Sequence, residues 1–191
     1  MELYKNTEFG KAIQELFKRL NMLVDDVDQY PDGHFRAYVF GGAAVHLYTN
    51  YRSSHDVDAE FTGSIPSFSD ADIVVMYESE DNEQMQLSLD ENFTPTLGLL
   101  HEDYVDDATP FMVSEGNPLW VYLVSPVDLA VSKLSRFSER DQEDIKTLAN
   151  KGLITAGSLQ ERAEFALVSH IGNTSSLETS VELAVQAIKD L

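Results

Sequence analysis

A chain of 191 residues, 43% of them hydrophobic, suits one compact domain or a small α/β core with a helical appendage. It has no cysteine, which excludes disulfides, zinc–thiolate centres and a cysteine nucleophile. No apolar run approaches a membrane span, and the opening residues lack the basic-then-apolar pattern of a secretory signal. A protein of the cytoplasm that uses no membrane is therefore expected.

The net charge of −20 is unevenly placed. Between Arg52 and Lys133 there is no Lys or Arg, and seventeen acidic residues run from Asp56 to Asp128. Such a field repels nucleic acid at long range. It reads as a solvated acidic surface, or as a docking face for a basic partner.

In chain order, Phe9, Ile13, Leu16, Phe17, Leu20 and Leu23 recur at three- and four-residue intervals and predict an amphipathic helix from Glu8 to Val24. Tyr30-Pro31-Asp32-Gly33 is a turn signal. Ala37 to Phe40 reads as a buried strand entering Gly41-Gly42, Ala43 to Tyr48 as a helix, and Val57 to Phe61 as a second strand. After a loop from Gly63 to Ser69, Ile73 to Tyr77 and Met85 to Leu89 read as strands around a polar turn. Leu97 to Leu100 is a short apolar run, and Leu119 to Val124 a further strand. Beyond Ser125-Pro126 the pattern turns helical: Val127 to Phe137, Glu139 to Asn150, Ser158 to Val168 and Ser176 to Ile188. Ser158/Glu161 and Ser175/Glu178 have capping-box spacing. The order predicts an α+β fold, a small mixed sheet flanked by helices. Residues 1–125 form the core with its N-terminal helix, and residues 126–191 a helical part packed on it.

The chemistry centres on Phe40-Gly41-Gly42 and, thirteen residues on, Asp56-Val57-Asp58. Two glycines ending a strand let backbone approach a phosphate, and the helix that follows offers free N–H groups. Asp56 and Asp58, two apart on a strand, share a face. Two carboxylates on one face repel unless a cation lies between them, and Mg²⁺ carried on a nucleotide's phosphates suits that position. Arg52, Ser53 and Ser54 stand just before the pair as further phosphate donors.

At these residues the sequence resembles the polymerase-β-like nucleotidyltransferase superfamily, whose pattern is a hydrophobic residue, Gly-Gly or Gly-Ser, a spacer, then Asp-hydrophobic-Asp. The resemblance implies Mg²⁺-dependent transfer of a nucleoside monophosphate from an NTP, with pyrophosphate leaving. A second stretch, from Asp128 through Lys133, Arg136, Arg140 and Asp141 to Asp144, is similar to the C-terminal signature of abortive-infection-type (AbiEii-like) nucleotidyltransferase toxins. The Asp128-to-Lys133 spacing is longer than in the best-known members. The run from Asn92 to His101 resembles a bacterial subfamily of uncharacterised nucleotidyltransferase-like proteins. These likenesses imply tRNA or a protein as acceptor and an antitoxin as partner.

Independently of the resemblance, Lys133, Arg136 and Arg140 fall at three- and four-residue spacing and share one face if their helix is continuous. Facing Asp56 and Asp58, they would offer charge to the outer phosphates. Asp141 and Asp144 would support them, Asp144 by pairing with Arg140 four residues before it. A third carboxylate is needed to hold metal or accept the acceptor's proton. Asp90, at a strand end, is the first choice, with Asp103 and Asp72 behind it. His55 reads as a loop residue, His46 as packed or solvated, and Trp120 as core. A small-molecule transferase and a catalytically silent nucleotide-binding module are the competing functions.

Overall fold

The computed structural model describes residues 2–25, 30–63, 65, 68–90, 93–95 and 98–191. They fall into two compact units, Met1–Phe93 with Ala108–Leu123, and Thr94–Asp107 with Val124–Leu191. The fold is α+β, as the element order predicts.

The first unit is built on a six-stranded mixed sheet in the order β3-β4-β2-β1-β6-β5. Its strands are β1 (Phe35–Val39), β2 (Asp56–Thr62), β3 (Val75–Glu78), β4 (Gln84–Asp90), β5 (Thr109–Met112) and β6 (Leu119–Leu123). β1 runs antiparallel to β2 and parallel to β6, while β2 and β4 are parallel. Helix α1 (Glu8–Asp25) lies on this sheet and buries Phe9, Ile13, Leu16, Phe17, Leu20 and Val24. That is the stripe its periodicity marks out, each large side chain contributing about 1.5–3 kcal/mol of transfer free energy. Helix α2 (Gly41–Thr49) packs on β2 and is apolar nearly all round. It ends at Asn50, whose left-handed backbone (φ 55°) donates its N–H to the His46 carbonyl.

Two local expectations change. The stretch predicted as one strand from Ile73 to Tyr77 divides into a single helical turn, α3 (Asp70–Ile73), and β3. β5 has no counterpart in the sequence reading. Parts of two predicted segments, residues 64, 66 and 67 of the loop and residues 92, 96 and 97 of the run from Asn92 to His101, lie outside the described residues.

The second unit contains α4 (Pro126–Lys133), α5 (Glu139–Asn150), α6 (Ala156–Ser169) and α7 (Ser175–Lys189). Ser125 caps α4 through the Asp128 N–H, with Pro126 in the first turn. The caps of the last two helices differ from those predicted. Thr155, not Ser158, begins α6 and forms a reciprocal capping box with Ser158. Thr174 precedes α7, and its hydroxyl hydrogen-bonds Glu178 at 2.7 Å. α4 stops at Lys133, and Phe137 adopts φ 47°, so α4 and α5 are separate helices.

Candidate active site

Alternation along β2 decides which side chains face the core. Val57 and Ala59 are buried, which turns Asp56, Asp58 and Glu60 to the opposite face. β4 alternates likewise, burying Leu87 and Leu89 and turning Ser88 and Asp90 outward. In the parallel register Asp56 stands beside Ser88, and Asp58 beside Asp90. Adjacent strands lie about 4.8 Å apart, so the carboxyls of Asp58 and Asp90 rise from neighbouring backbone positions on one face, with Asp56 two residues along. Asp56 is exposed, while Asp58 and Asp90 are half-buried.

The glycines meet this edge directly. The Phe40 N–H donates to the Asp58 carbonyl at 2.8 Å, stitching the start of α2 to β2. Gly41 has φ 59°, and a Cβ there would lie 1.7 Å from Asp58 Oδ2. Gly41 is thus required twice, for its left-handed backbone and for the space that Asp58 fills. At Gly42 a Cβ would meet Arg52 Nη1 at 2.6 Å and Ser54 Cβ at 3.1 Å. The Ser54 hydroxyl donates to Asp56 Oδ1 at 2.7 Å. The two glycines, Arg52, Ser54, Asp56, Asp58 and Asp90 therefore form one neighbourhood. Ser53 is exposed and lines an adjoining cavity.

Glu60 was not singled out in the sequence, although the two-residue period of Asp56-Val57-Asp58-Ala59-Glu60 marks it. Burial pushes its carboxyl above the ordinary value. His46 is packed. Its Nδ1 lies 2.9 Å from the Arg52 carbonyl and its Nε2 2.7 Å from the Thr7 hydroxyl. Burial lowers its pKa, against the Arg52 carbonyl and the field of Glu80, which raise it. His55 is an exposed bend residue. Trp120 lies half-buried, its ring covering Gly33 and its indole N–H donating to the Ser114 carbonyl. Of the other carboxylates considered, Asp72 accepts from the Ser69 N–H beside α3. Asp103 belongs to the second unit, where its N–H donates to His101 Nδ1.

In the second unit Lys133 is buried, and its ammonium lies 2.7 Å from Asp144 and 3.8 Å from Asp141. Arg136 holds Asp141 with two parallel hydrogen bonds of 2.7 and 2.8 Å. Asp141 also accepts from the Ser138 N–H and hydroxyl, closing the capping box of α5. Asp144, expected to hold Arg140, is the partner of Lys133, and the side chain of Arg140 is exposed. Asp128, wholly buried, is gripped by Arg162 from α6 at 2.7 and 2.9 Å and by the Ser125 hydroxyl at 2.6 Å. Because α4 ends at Lys133, the single cationic helix face drawn from the spacing does not form.

Burial alone would raise the Asp141 carboxyl. Arg136, the Ser138 hydroxyl, the Lys133 charge and the Ser138 N–H outweigh it and hold the pKa down to about 2, against an ordinary 3.8. A depressed carboxylate stabilises the fold above its unfolded pKa, and that contribution disappears as pH falls from 3.8 towards 2. Urea midpoints measured across this window should fall more steeply for the wild type than for Asp141→Asn. The difference should integrate to about 2 kcal/mol.

The profile of a protein family described as "Nucleotidyltransferase of unknown function (DUF6036)" matches residues 11–190. The chain belongs to this family. No curated protein and no solved structure matches it. The match spans both units.

Among the described residues no three His, Asp or Glu side chains close into a group able to hold a metal alone. The donor set is nonetheless chemically suited to Mg²⁺, being carboxylate oxygens beside a glycine-floored helix start. Mg²⁺ takes one or two protein carboxylates and completes its shell with phosphate oxygens and water. The residues fit an ion that arrives on a nucleotide.

Gly41→Ala tests the closeness of that packing. The backbone penalty of a left-handed alanine is about 1–2 kcal/mol. The new methyl also displaces the Asp58 carboxyl, which is short but free to rotate. A modest drop in the urea midpoint should therefore follow.

Proposed function

We propose that this protein is a Mg²⁺-dependent transferase that moves a nucleoside monophosphate from an NTP to an acceptor hydroxyl. The observation that carries the reading is the register of Asp90 beside Asp58, with Gly41 packed against the same carboxyl. In this reading Asp56 and Asp58 hold the metal. The Gly41 and Gly42 backbone, the Arg52 guanidinium and the Ser54 hydroxyl receive phosphate oxygens. Mg²⁺, when bound, supplies charge neutralisation to the triphosphate.

The acceptor oxygen attacks the α-phosphorus and its proton passes to Asp90. A P–O bond forms to the acceptor, the bond to the bridging α–β oxygen breaks, and pyrophosphate departs with that electron pair. The toxin-like resemblance assigns tRNA or a protein as acceptor and an antitoxin as restraint. The charge of −20 and the acid-only stretch through the sheet favour a small acceptor instead.

The test is incubation with each α-labelled NTP, Mg²⁺ and, in parallel, total tRNA, a protein extract or small hydroxylated amines. Label should move to one acceptor class with equimolar pyrophosphate and stop on chelation. Absence of transfer and of pyrophosphate in every arm would overturn the reading.

A further inference from the structure

The second unit carries an open groove of about 330 Å³ between α6 and α7, which pack against each other. Its α7 wall runs from Glu178 to Lys189, a rise of about 17 Å or three helical turns. The least exposed lining residues, Leu167, Val181 and Val185, form an apolar floor. Glu164, Glu178 and Glu182 stand exposed along the rim. Val168, 85% exposed, continues the α6 ridge of Gln160 and Glu164 at the next four-residue step. Ile171, just beyond that helix, is 97% exposed. Two such side chains at the end of an apolar floor extend it into a patch of the kind that marks an interaction site.

The rim has one dominant sign. Arg162, the cation of α6, is held by Asp128 and Asp107, so among the described residues it does not neutralise the three glutamates. Lys189 is the cation of the lining, at the C-terminal end of α7. Two helices joined by a short turn run antiparallel, which places Val168 and Glu178 at the turn end and Gln160 and Lys189 at the other. A rim of this sign repels nucleic-acid phosphates and anionic lipid. It also opposes a second copy, because a twofold contact would set the same acids against each other. Lysine and arginine are the side chains it attracts, and the floor requires an apolar stripe between them. A groove between two helices has no open strand edge to extend, so the element that fits is a helix.

We propose that the α6–α7 groove docks an amphipathic helix of another protein, about three turns long, whose apolar stripe is flanked by lysine or arginine. The stripe lies on Leu167, Val181 and Val185, with anchors at helical spacing. The flanking cations meet Glu164, Glu178 and Glu182. The end of the helix that meets Lys189 is neutral or acidic, which fixes its direction along the groove. A contact of this length belongs with small, transient interfaces.

The probe is a leucine–lysine peptide of about four turns with its leucines at helical spacing. It is titrated into the whole chain at about 0.15 M salt, which screens the bulk charge. The methyl resonances of Leu167, Val181 and Val185 should move. A scrambled peptide of the same composition has the same charge but no apolar face, and should bind at least about tenfold more weakly. Glu164→Gln/Glu182→Gln, at exposed positions, should weaken the helical peptide about fivefold. Glu80→Gln/Asp81→Asn removes equal charge from exposed positions of the first unit and should change binding less than about twofold. Equal binding of the two peptides, equal effects of the two double variants, shifts confined to residues outside α6 and α7, or no binding would each overturn the proposal. Methyl shifts that follow protein concentration alone would assign the groove to a second copy and overturn it as well.

Discussion

Asp58→Asn should reduce nucleotidyl transfer by about 10³-fold or more while leaving the protein folded. The amide keeps the shape of the side chain against Gly41 but removes the charge proposed to hold metal. Asp58 is half-buried and stands in register with Asp90, with Asp56 on the same face. Without metal these three carboxylates repel one another, so removing one charge should leave the urea midpoint unchanged or raise it. A functional site held together at the expense of stability gives that opposite pair of effects. Parallel measurement of initial rate and unfolding midpoint checks it. A midpoint that falls together with the rate would make Asp58 a structural residue.

Asp144→Ala should produce the largest loss of stability, about 3–5 kcal/mol by urea denaturation. The side chain of Asp144 is wholly buried and that of Lys133 is 5% exposed, at 2.7 Å. Removing the carboxylate leaves an ammonium buried, with Asp141, at 3.8 Å, the remaining ion-pair partner among the described residues. Replacing both partners, as Lys133→Met/Asp144→Leu, removes the uncompensated charge and should recover most of the loss. The exposed pair Lys11–Glu8, at a similar 2.6 Å, is the control. Breaking it should cost less than about 1 kcal/mol because water screens both groups. A small effect at Asp144 would mean that Lys133 turns outward to water in solution.

How much of this was legible in the sequence depends on range. α1 was readable because its stripe is long and strictly periodic, and β2 because apolar and acidic residues alternate in Asp56-Val57-Asp58-Ala59-Glu60. The glycine pair and its distance from Asp56 and Asp58 marked the site neighbourhood. What no local pattern carries is pairing. That Asp90 stands beside Asp58 follows from the β2–β4 register, and a shift of one residue would turn it to the other face. β5 escaped because it is a four-residue strand at the sheet's edge and contains Pro110, a residue that lowers any strand reading. Helical spacing grouped Lys133, Arg136 and Arg140, but the left-handed Phe137 interrupts the helix between them. The grip of Arg162 on Asp128 spans thirty-four residues and lies beyond any window. The acids of the second motif consequently appear in the structure as ties within the helical unit.

The most direct test is electron paramagnetic resonance of Mn²⁺, replacing Mg²⁺, titrated into the protein with a non-hydrolysable NTP. The wild type should bind Mn²⁺ tightly only when the nucleotide is present, and Asp56→Asn/Asp58→Asn should abolish that binding while unfolding at the same or higher urea concentration. Equal Mn²⁺ binding by wild type and double variant would contradict the assignment of these carboxylates as the metal-holding edge.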